Sequence, residues 1–132
     1  MKIYTDINQS KVLAEILPIE SSDMWWAERY AGRVEGYEYI VEETPVYYLS
    51  FTKPSVGNYS QDTIKDIPCW SLSALLDVLP EGIIENYYVP NLQKENGKYS
   101  IAYGNEELLC IADNPIDACY GMILKLHEQK VL

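Results

Sequence analysis

Few side chains in this sequence have the types and spacing that catalysis requires. The single histidine, His127, follows Cys119 by eight residues on the same predicted helix. At a rise of 1.5 Å per residue the two lie about 12 Å apart, which is too far for a thiol–imidazole pair. Adjacent carboxylates such as Glu42 and Glu43 point to opposite sides of a strand and do not form an acid–base couple. The sequence therefore predicts no catalytic residue and favours a protein that is not an enzyme.

Motifs for metals, nucleotides and cofactors are also missing from the sequence. Cys110, Asp113, Asp117 and Cys119 are close along the chain, but they lack the ligand spacing of zinc sites. No phosphate-binding glycine loop, dinucleotide fingerprint or serine nucleophile elbow occurs. We therefore expect no bound metal and no cofactor. The chain has three cysteines, Cys69, Cys110 and Cys119, and all have apolar neighbours. This predicts buried, reduced thiols in a cytoplasmic protein.

Adjacent aromatic residues are the strongest indication of a binding surface. The chain has 12 Tyr and 3 Trp against a single Phe. Tyrosine combines an apolar ring with a hydroxyl group, so it suits half-buried sheet faces and interfaces. Neighbouring side chains on a strand face opposite sides, so one ring of each pair can face the core and the other the solvent. A second covering layer could equally bury these rings. The candidate interaction surface consists of Trp25, Trp26, Tyr47, Tyr48, Tyr87 and Tyr88.

The charge of the chain limits the partners that we expect. The net charge is −10, from 20 acidic and 10 basic residues, and the basic residues form no stripe. Such a field repels nucleic-acid phosphates and anionic membranes, although many proteins are acidic only for solubility. The opening residues soon become polar, so we expect no signal peptide. No apolar run approaches the roughly 18–20 residues that span a bilayer. We expect a cytoplasmic protein whose partner is another protein, basic or not, with self-association left open.

Three helices are predicted to position these residues. Asp6 and Gln9 can form a capping box for a first helix over residues 6–17. A central helix follows Ser71 as N-cap and ends before Pro80. Its inner face carries leucines at helical spacing, namely Leu72, Leu75, Leu76 and Leu79.

The last helix has the clearest start signal in the chain. Asn114 is its N-cap and Pro115 its first residue. One face carries the apolar residues Ile116, Cys119, Ile123 and Leu126. The opposite face is marked by Asp117, Gly121, Lys125 and Glu128.

Strands are predicted on both sides of the central helix. Before it, strands are expected over residues 24–31, 37–42 and 46–51, and the second has the alternation of a half-buried strand. Residues 52–66 have no clear periodicity and predict a long loop, which is a weak indication of a binding site. After it, a strand is expected over residues 83–89. Asn96-Gly97 predicts a type I′ turn leading to strands at 99–103 and 107–112, the end of an antiparallel meander.

The expected architecture is one α+β domain over residues 1–132, in which three helices pack on one face of a mainly antiparallel sheet. LAEILP at 13–18 and LLDVLP at 75–80 match in type at each position. This suggests a weak helix–strand pseudo-repeat of residues 6–51 and 71–112. Short amphipathic helices that end in Leu-Pro also produce such a match by chance.

Three segments carry a resemblance to known proteins: IPCWSLSALLDVLP, DNPIDACYGMILKLHE and the opening IYTDINQSKVLAEILP. They resemble a group of short uncharacterised proteins encoded in prophages and mobile elements of gut bacteria. The resemblance extends over nearly the whole chain. It implies a cytoplasmic accessory protein of a mobile element with an interaction role, and it implies no catalytic residue.

Three functional hypotheses follow, and a non-catalytic acidic protein-interaction module is the first. The second is an acidic decoy that occupies the nucleic-acid-binding surface of a host defence protein. The third is a small-ligand binder with an aromatic pocket under the loop at 52–66. A flat apolar patch favours the first, carboxylates arrayed like phosphates favour the second, and a concave pocket lined by Tyr and Trp favours the third.

Overall fold

A computed structural model describes residues 1–52, 66–82, 89–104 and 108–132 of the chain, and these residues form three helices and eight strands. The helices are α1 (Ile7–Ile16), α2 (Leu72–Val78) and α3 (Pro115–Glu128). The strands are β1 (Met24–Arg29), β2 (Gly32–Glu35), β3 (Glu38–Val41), β4 (Val46–Ser50), β5 (Asp66–Cys69), β6 (Pro90–Glu95), β7 (Lys98–Tyr103) and β8 (Leu108–Ala112). A short 3-10 turn over Ile19–Ser21 connects α1 to β1.

Helix α1 begins at the predicted capping box. The Asp6 carboxylate accepts a hydrogen bond from the backbone N–H of Gln9 at 2.8 Å, and the Asp6 N–H donates to Gln9 Oε1 at 3.1 Å. Leu13 is fully buried and Leu17, just after the helix, is nearly so. Val12, the apolar residue beside Leu13 in the sequence, is exposed. The buried stripe is therefore narrower than its sequence pattern indicates.

Helix α2 also has its predicted start, because the Ser71 side chain accepts a hydrogen bond from the Ala74 N–H. Leu75 is fully buried and Leu79 nearly so. Leu76 is only half-buried, so the prediction that it lies inside the core is wrong. It packs against the edge of the core, since this short helix contacts α3 along one side.

Helix α3 is the main support of the core. The Asn114 side chain caps it by accepting from the Asp117 N–H at 2.8 Å. The predicted apolar face is fully buried, as are Ala118 and Met122. Gly121 does not lie on an outer face as expected, because it faces β8 and a Cβ there would lie 2.4 Å from Cys110 Sγ. The helix packs on β7 and β8, which brings Gly121 close to the sheet.

The predicted mainly antiparallel sheet is divided into three. All strand pairs are antiparallel, in the orders β4-β1-β5, β2-β3 and β6-β7-β8. The packing of three helices on one face is not confirmed, because α3 packs on β7 and β8, α1 contacts β5 and α2 contacts α3. Alternation of side chains marks a strand but does not choose its partner, so the sequence pattern could not separate the sheets.

The second half of the chain has the predicted type I′ turn. Asn96 and Gly97 both have positive φ, 52° and 76°, and join β6 to β7. Strand β8 then completes the expected three-stranded meander. Residues 83–88, most of the predicted strand over 83–89, lie outside the described residues, and β6 is the strand that pairs before the turn. Residues 53–65, most of the predicted loop over 52–66, also lie outside them.

The N-terminal segment holds the first sheet against the helices. The Thr5 N–H donates to the Trp70 carbonyl at 2.9 Å, and the Trp70 N–H donates to Thr5 Oγ1 at 3.1 Å. The Trp26 indole N–H donates to the Thr5 carbonyl at 3.0 Å. Lys2 forms ion pairs of 2.9 Å with Asp6 and with Asp117 at the start of α3. These bonds place α1 beside the face of β1 that carries Trp26.

The buried core joins the three helices to β7. It contains Leu13, Leu17, Trp70, Ala74, Leu75, Leu79, Ile101, Tyr103, Ile116, Ala118, Cys119, Met122, Ile123 and Leu126. The expectations of a single domain over residues 1–132 and of a pseudo-repeat over 6–51 and 71–112 stay predictions.

Candidate interaction site

The register of the first sheet separates the predicted aromatic pairs. Trp26 lies opposite Leu49 and Tyr47 lies opposite Glu28, which places both rings on the α1 side of the sheet. Trp25 and Tyr48 lie on the other side. Tyr87 and Tyr88 lie outside the described residues. The four described rings therefore do not form one surface.

Trp26 and Tyr47 form contacts within the structure. The Trp26 indole N–H donates to the Thr5 carbonyl, and its ring packs edge-on against the Tyr4 ring with centroids 5.6 Å apart. Tyr47 is half-buried and donates its hydroxyl to Glu28. Trp25 is also half-buried, whereas Tyr48 is 58% exposed. Of the four, Tyr48 is the ring most open to a partner.

A group of exposed apolar side chains lies instead on the hairpin of β2 and β3. Val34 pairs with Tyr39 and Gly32 with Val41, so these four residues share one side of the hairpin. Val34 is 73% exposed and Tyr39 68%. The half-buried strand that was predicted over 37–42 is therefore mostly exposed. The Tyr39 ring lies over Gly32, because a Cβ at this residue would lie 1.9 Å from the Tyr39 hydroxyl and the exposed ring would have to move aside.

The opposite side of the same hairpin is acidic. Arg33 forms an ion pair of 2.5 Å with Glu42 and a looser one of 3.8 Å with Glu35. Glu38 lies directly opposite Glu35, and like charges in this position repel. This side thus carries three carboxylates and one guanidinium, which leaves it with an excess negative charge.

A second feature is a pocket of about 750 Å³ between α1 and the first sheet. Its deepest charge is Glu28, which is only 8% exposed. The Tyr30 hydroxyl donates to Glu28 Oε1 at 2.9 Å and the Tyr47 hydroxyl to Oε2 at 3.2 Å. Lys11 and Glu15 of α1 line the same pocket.

The Glu28 carboxylate contributes to a raised pKa of both phenols. The hydrogen bond to Glu28 raises the pKa of Tyr30, and burial raises the pKa of Tyr47 together with the nearby Glu28 charge. The neighbouring Arg29 is used elsewhere, since it donates to Asp66 at 3.0 Å and to the Glu28 carbonyl at 2.8 Å. Within the described ranges, no Lys or Arg side chain forms an ion pair with the Glu28 carboxylate.

The sequence prediction missed Glu28 and Tyr30, although one signal was available. Met24, Trp26 and Glu28 alternate along the predicted strand, so they share a face, and the first two are apolar. A carboxylate on the apolar face of a strand is unusual unless it has a partner. The partners themselves, Tyr30 and Tyr47, could not be recognised without the pairing of β1 with β4.

The thiols are free and poorly suited to nucleophilic chemistry. Cys69 and Cys119 are buried as predicted, and Cys110 is half-buried. Burial raises the pKa of the Cys119 thiol to about 12, and it also raises the pKa of Cys69 and of Cys110. His127 is exposed near the end of α3, where Nδ1 lies 3.1 Å from the Leu132 carbonyl oxygen. Across the described part of the chain, no group of three or more His, Cys, Asp or Glu side chains is arranged to hold a metal.

Comparison with protein-family models, with curated proteins and with solved structures finds no match to this chain. The resemblance to proteins of prophages and mobile elements therefore stays a prediction. Among the described residues, none of the helices is both long and apolar enough to cross a membrane.

Proposed function

We propose that this protein is a non-catalytic, acidic interaction module that binds a basic protein through the hairpin of β2 and β3. The observation that carries the proposal is the exposed apolar side formed by Val34, Tyr39 and Val41. Moving a valine side chain from water into an interface is worth about 1.5–3 kcal/mol, and exposed aromatic residues are frequent anchors of binding. A partner that covers this side gains both contributions.

The backbone of the hairpin supports the same function. In the part of the chain that the structure describes, β2 and β3 pair only with each other. Each strand therefore has an outer edge with N–H and carbonyl groups that face away from its partner strand. An extended segment of another protein can add to such an edge as a further strand, with affinity from backbone bonds and selectivity from side-chain contacts.

Charge favours a basic partner over a second copy of this chain. The acidic side of the hairpin has Glu35, Glu38 and Glu42 around Arg33. Two copies, each with a net charge of −10, repel each other as they approach. A lysine- or arginine-rich segment is attracted by the same field and associates faster.

The cellular setting is part of the proposal. The resemblance to proteins of prophages and mobile elements supports a cytoplasmic accessory role, in which the module binds another protein of the element or of its host. The excess of negative charge also argues against nucleic acid as the direct partner.

Selection of displayed peptides on the immobilised protein tests this function. The selected peptides should be rich in Lys and Arg and should alternate basic with apolar residues. The double variant Val34→Ser/Tyr39→Ser should weaken their binding by about tenfold or more, because it removes the apolar anchors. Val46→Ser is the matched control, since Val46 is an exposed strand valine outside the hairpin, and its binding should be unchanged.

Two results would contradict the proposal. One is a set of selected peptides without basic enrichment, or peptides that bind the double variant as tightly as the unmodified protein. The other is a stable dimer in sedimentation that Val34→Ser/Tyr39→Ser dissociates, because a second copy would then occupy the hairpin.

A further inference from the structure

We propose that the pocket around Glu28 binds an organic cation, an ammonium or guanidinium group, between the rings of Tyr30 and Tyr47. The pocket lies between α1 and the α1 side of the first sheet, and the residues that line it do not include those of the apolar side of the hairpin. Binding of a ligand in the pocket and binding of a partner to the hairpin can therefore be tested separately.

The first argument is that, among the described residues, the buried Glu28 carboxylate has only neutral hydrogen-bond donors beside it. Glu28 is 8% exposed, and its two side-chain hydrogen bonds come from phenol hydroxyls. Buried carboxylates normally have a cationic partner, because removal of the charge from water costs several kcal/mol. In the described ranges no side-chain cation is paired with Glu28. A bound cation would supply the missing charge.

The second argument is the unused hydrogen-bonding capacity of the same carboxylate. An ionised carboxylate can accept about four hydrogen bonds, two on each oxygen. Tyr30 uses one position on Oε1 and Tyr47 one on Oε2. No further hydrogen bond to these oxygens comes from the described residues, and one more position on each oxygen suits the parallel N–H groups of a guanidinium or two of the N–H groups of an ammonium.

The third argument is the aromatic lining. Tyr30, just after β1, and Tyr47 of β4 flank the carboxylate, and Pro45 adds an apolar wall. Tyrosine rings attract cations through the negative face of their π-systems, and this attraction is stronger in sites that are partly shielded from water. A carboxylate between aromatic rings therefore favours an organic cation over a small hydrated metal ion.

The size and charge of the pocket agree with this ligand class. Its volume of about 750 Å³ accepts a lysine or arginine side chain with its flanking backbone. Three carboxylates line it, those of Glu15, Glu28 and Asp66, against the single ammonium of Lys11. Asp66 is already paired with Arg29 and Glu15 is exposed, so Glu28 is the buried carboxylate in this lining that a ligand can pair with.

Two kinds of ligand share this chemistry, a cationic nitrogen on an alkyl stem. One is a free amine, and the other is a side chain of a bound protein. The test is an NMR titration of the labelled protein, followed through the amide signals of β1 and β4. The free-amine probes are n-butylammonium and n-butylguanidinium, and n-butanol is the neutral control. The peptide probe is acetyl-Ala-Lys-Ala-amide, and its norleucine analogue is the neutral control.

The proposal expects saturable shifts centred on Glu28 and Tyr47 with the cationic probes and none with the neutral ones. Glu28→Gln should weaken cation binding by about tenfold or more, because it removes the charge of the acceptor. Glu20→Gln is the matched control, since it makes the same change of net charge at an exposed residue outside the pocket. A lysine peptide that binds at least tenfold more tightly than n-butylammonium indicates a protein side chain, and equal affinities indicate a free amine.

Tyr47→Leu keeps the proposal testable if Glu28→Gln does not fold. It retains the carboxylate and removes one ring, so cation binding should weaken several-fold. The proposal is overturned if no cationic probe gives saturable shifts at millimolar concentration, or if Glu28→Gln and Glu20→Gln bind equally. Val34→Ser/Tyr39→Ser leaves the pocket intact and should keep n-butylammonium binding, so the pocket and the hairpin can fail separately.

Discussion

Gly121 lies where helix α3 approaches β8 most closely, and its replacement is the most direct test of the packing. A Cβ at this residue would lie 2.4 Å from Cys110 Sγ, so one of the two groups must move. In the interior of an exposed helix, Gly→Ala stabilises by roughly 0.5–1 kcal/mol. Overpacking of a core costs about 1–3 kcal/mol. We therefore expect Gly121→Ala to destabilise the protein by about 1–2 kcal/mol.

A double-mutant cycle identifies the contact that causes this loss. Cys110→Ala removes the sulfur atom, so in that background Gly121→Ala should become stabilising by up to about 1 kcal/mol. The coupling between the two changes should then be about 1–3 kcal/mol. Urea unfolding of the four proteins measures it. Glu128→Ala serves as the control, because Glu128 is exposed at the end of α3 and should show no coupling to Cys110.

One result would contradict this placement of the helix face. If Gly121→Ala stabilises the unmodified protein as much as it stabilises the Cys110→Ala variant, the helix face is placed wrongly. Gly121 would then lie on the outer face that the sequence pattern predicts.

Four further predictions concern the core, pH, the thiols and nucleic acid. Leu75→Ala should cost about 2–5 kcal/mol of unfolding free energy and Leu76→Ala clearly less, because only the first is fully buried. Partial burial favours a higher pKa for Asp117, but hydrogen bonds from Lys2 and two neutral side chains hold it below its usual value. The stability that the ionised Asp117 carboxylate contributes is complete above its pKa in the unfolded chain, about 4. It is lost as pH falls through the pKa of the folded protein, so Asp117→Asn should reduce the loss of stability in acid that unfolding titrations measure. Thiol titration should show Cys110 reacting before the two buried cysteines, with all three reacting after denaturation. Gel shifts at physiological salt should detect no binding to duplex DNA or single-stranded RNA, and salt-sensitive retardation would reveal a basic surface.

Local signals in the sequence predicted the ends of the helices well. Asp6, Ser71 and Asn114 each accept a hydrogen bond from a backbone N–H three residues later. The turn at Asn96-Gly97 has the positive φ values that its residue types favour. These features depend on contacts over a few residues, so the order of residue types is enough to predict them.

The burial of particular side chains was harder to predict. The helical patterns predict that Leu76 lies inside and Gly121 outside. In the structure Leu76 is half-buried and Gly121 faces Cys110. A helical period identifies an apolar stripe, but the width of the buried stripe depends on which elements cover it. For α3 that covering element is β8, whose position depends on the meander and not on the helix itself.

The sequence alone determined the acidic charge, the helix caps, the tight turn and the alternation of the strands, because each depends on composition or on residues close in the chain. Only the tertiary structure decided which strands pair and what lies beside Glu28. Pairing of β1 with β4 brings Tyr47 to Glu28 across 19 positions of the chain. A strand period of two is the same for every partner, so it leaves this neighbourhood undefined until the strands associate.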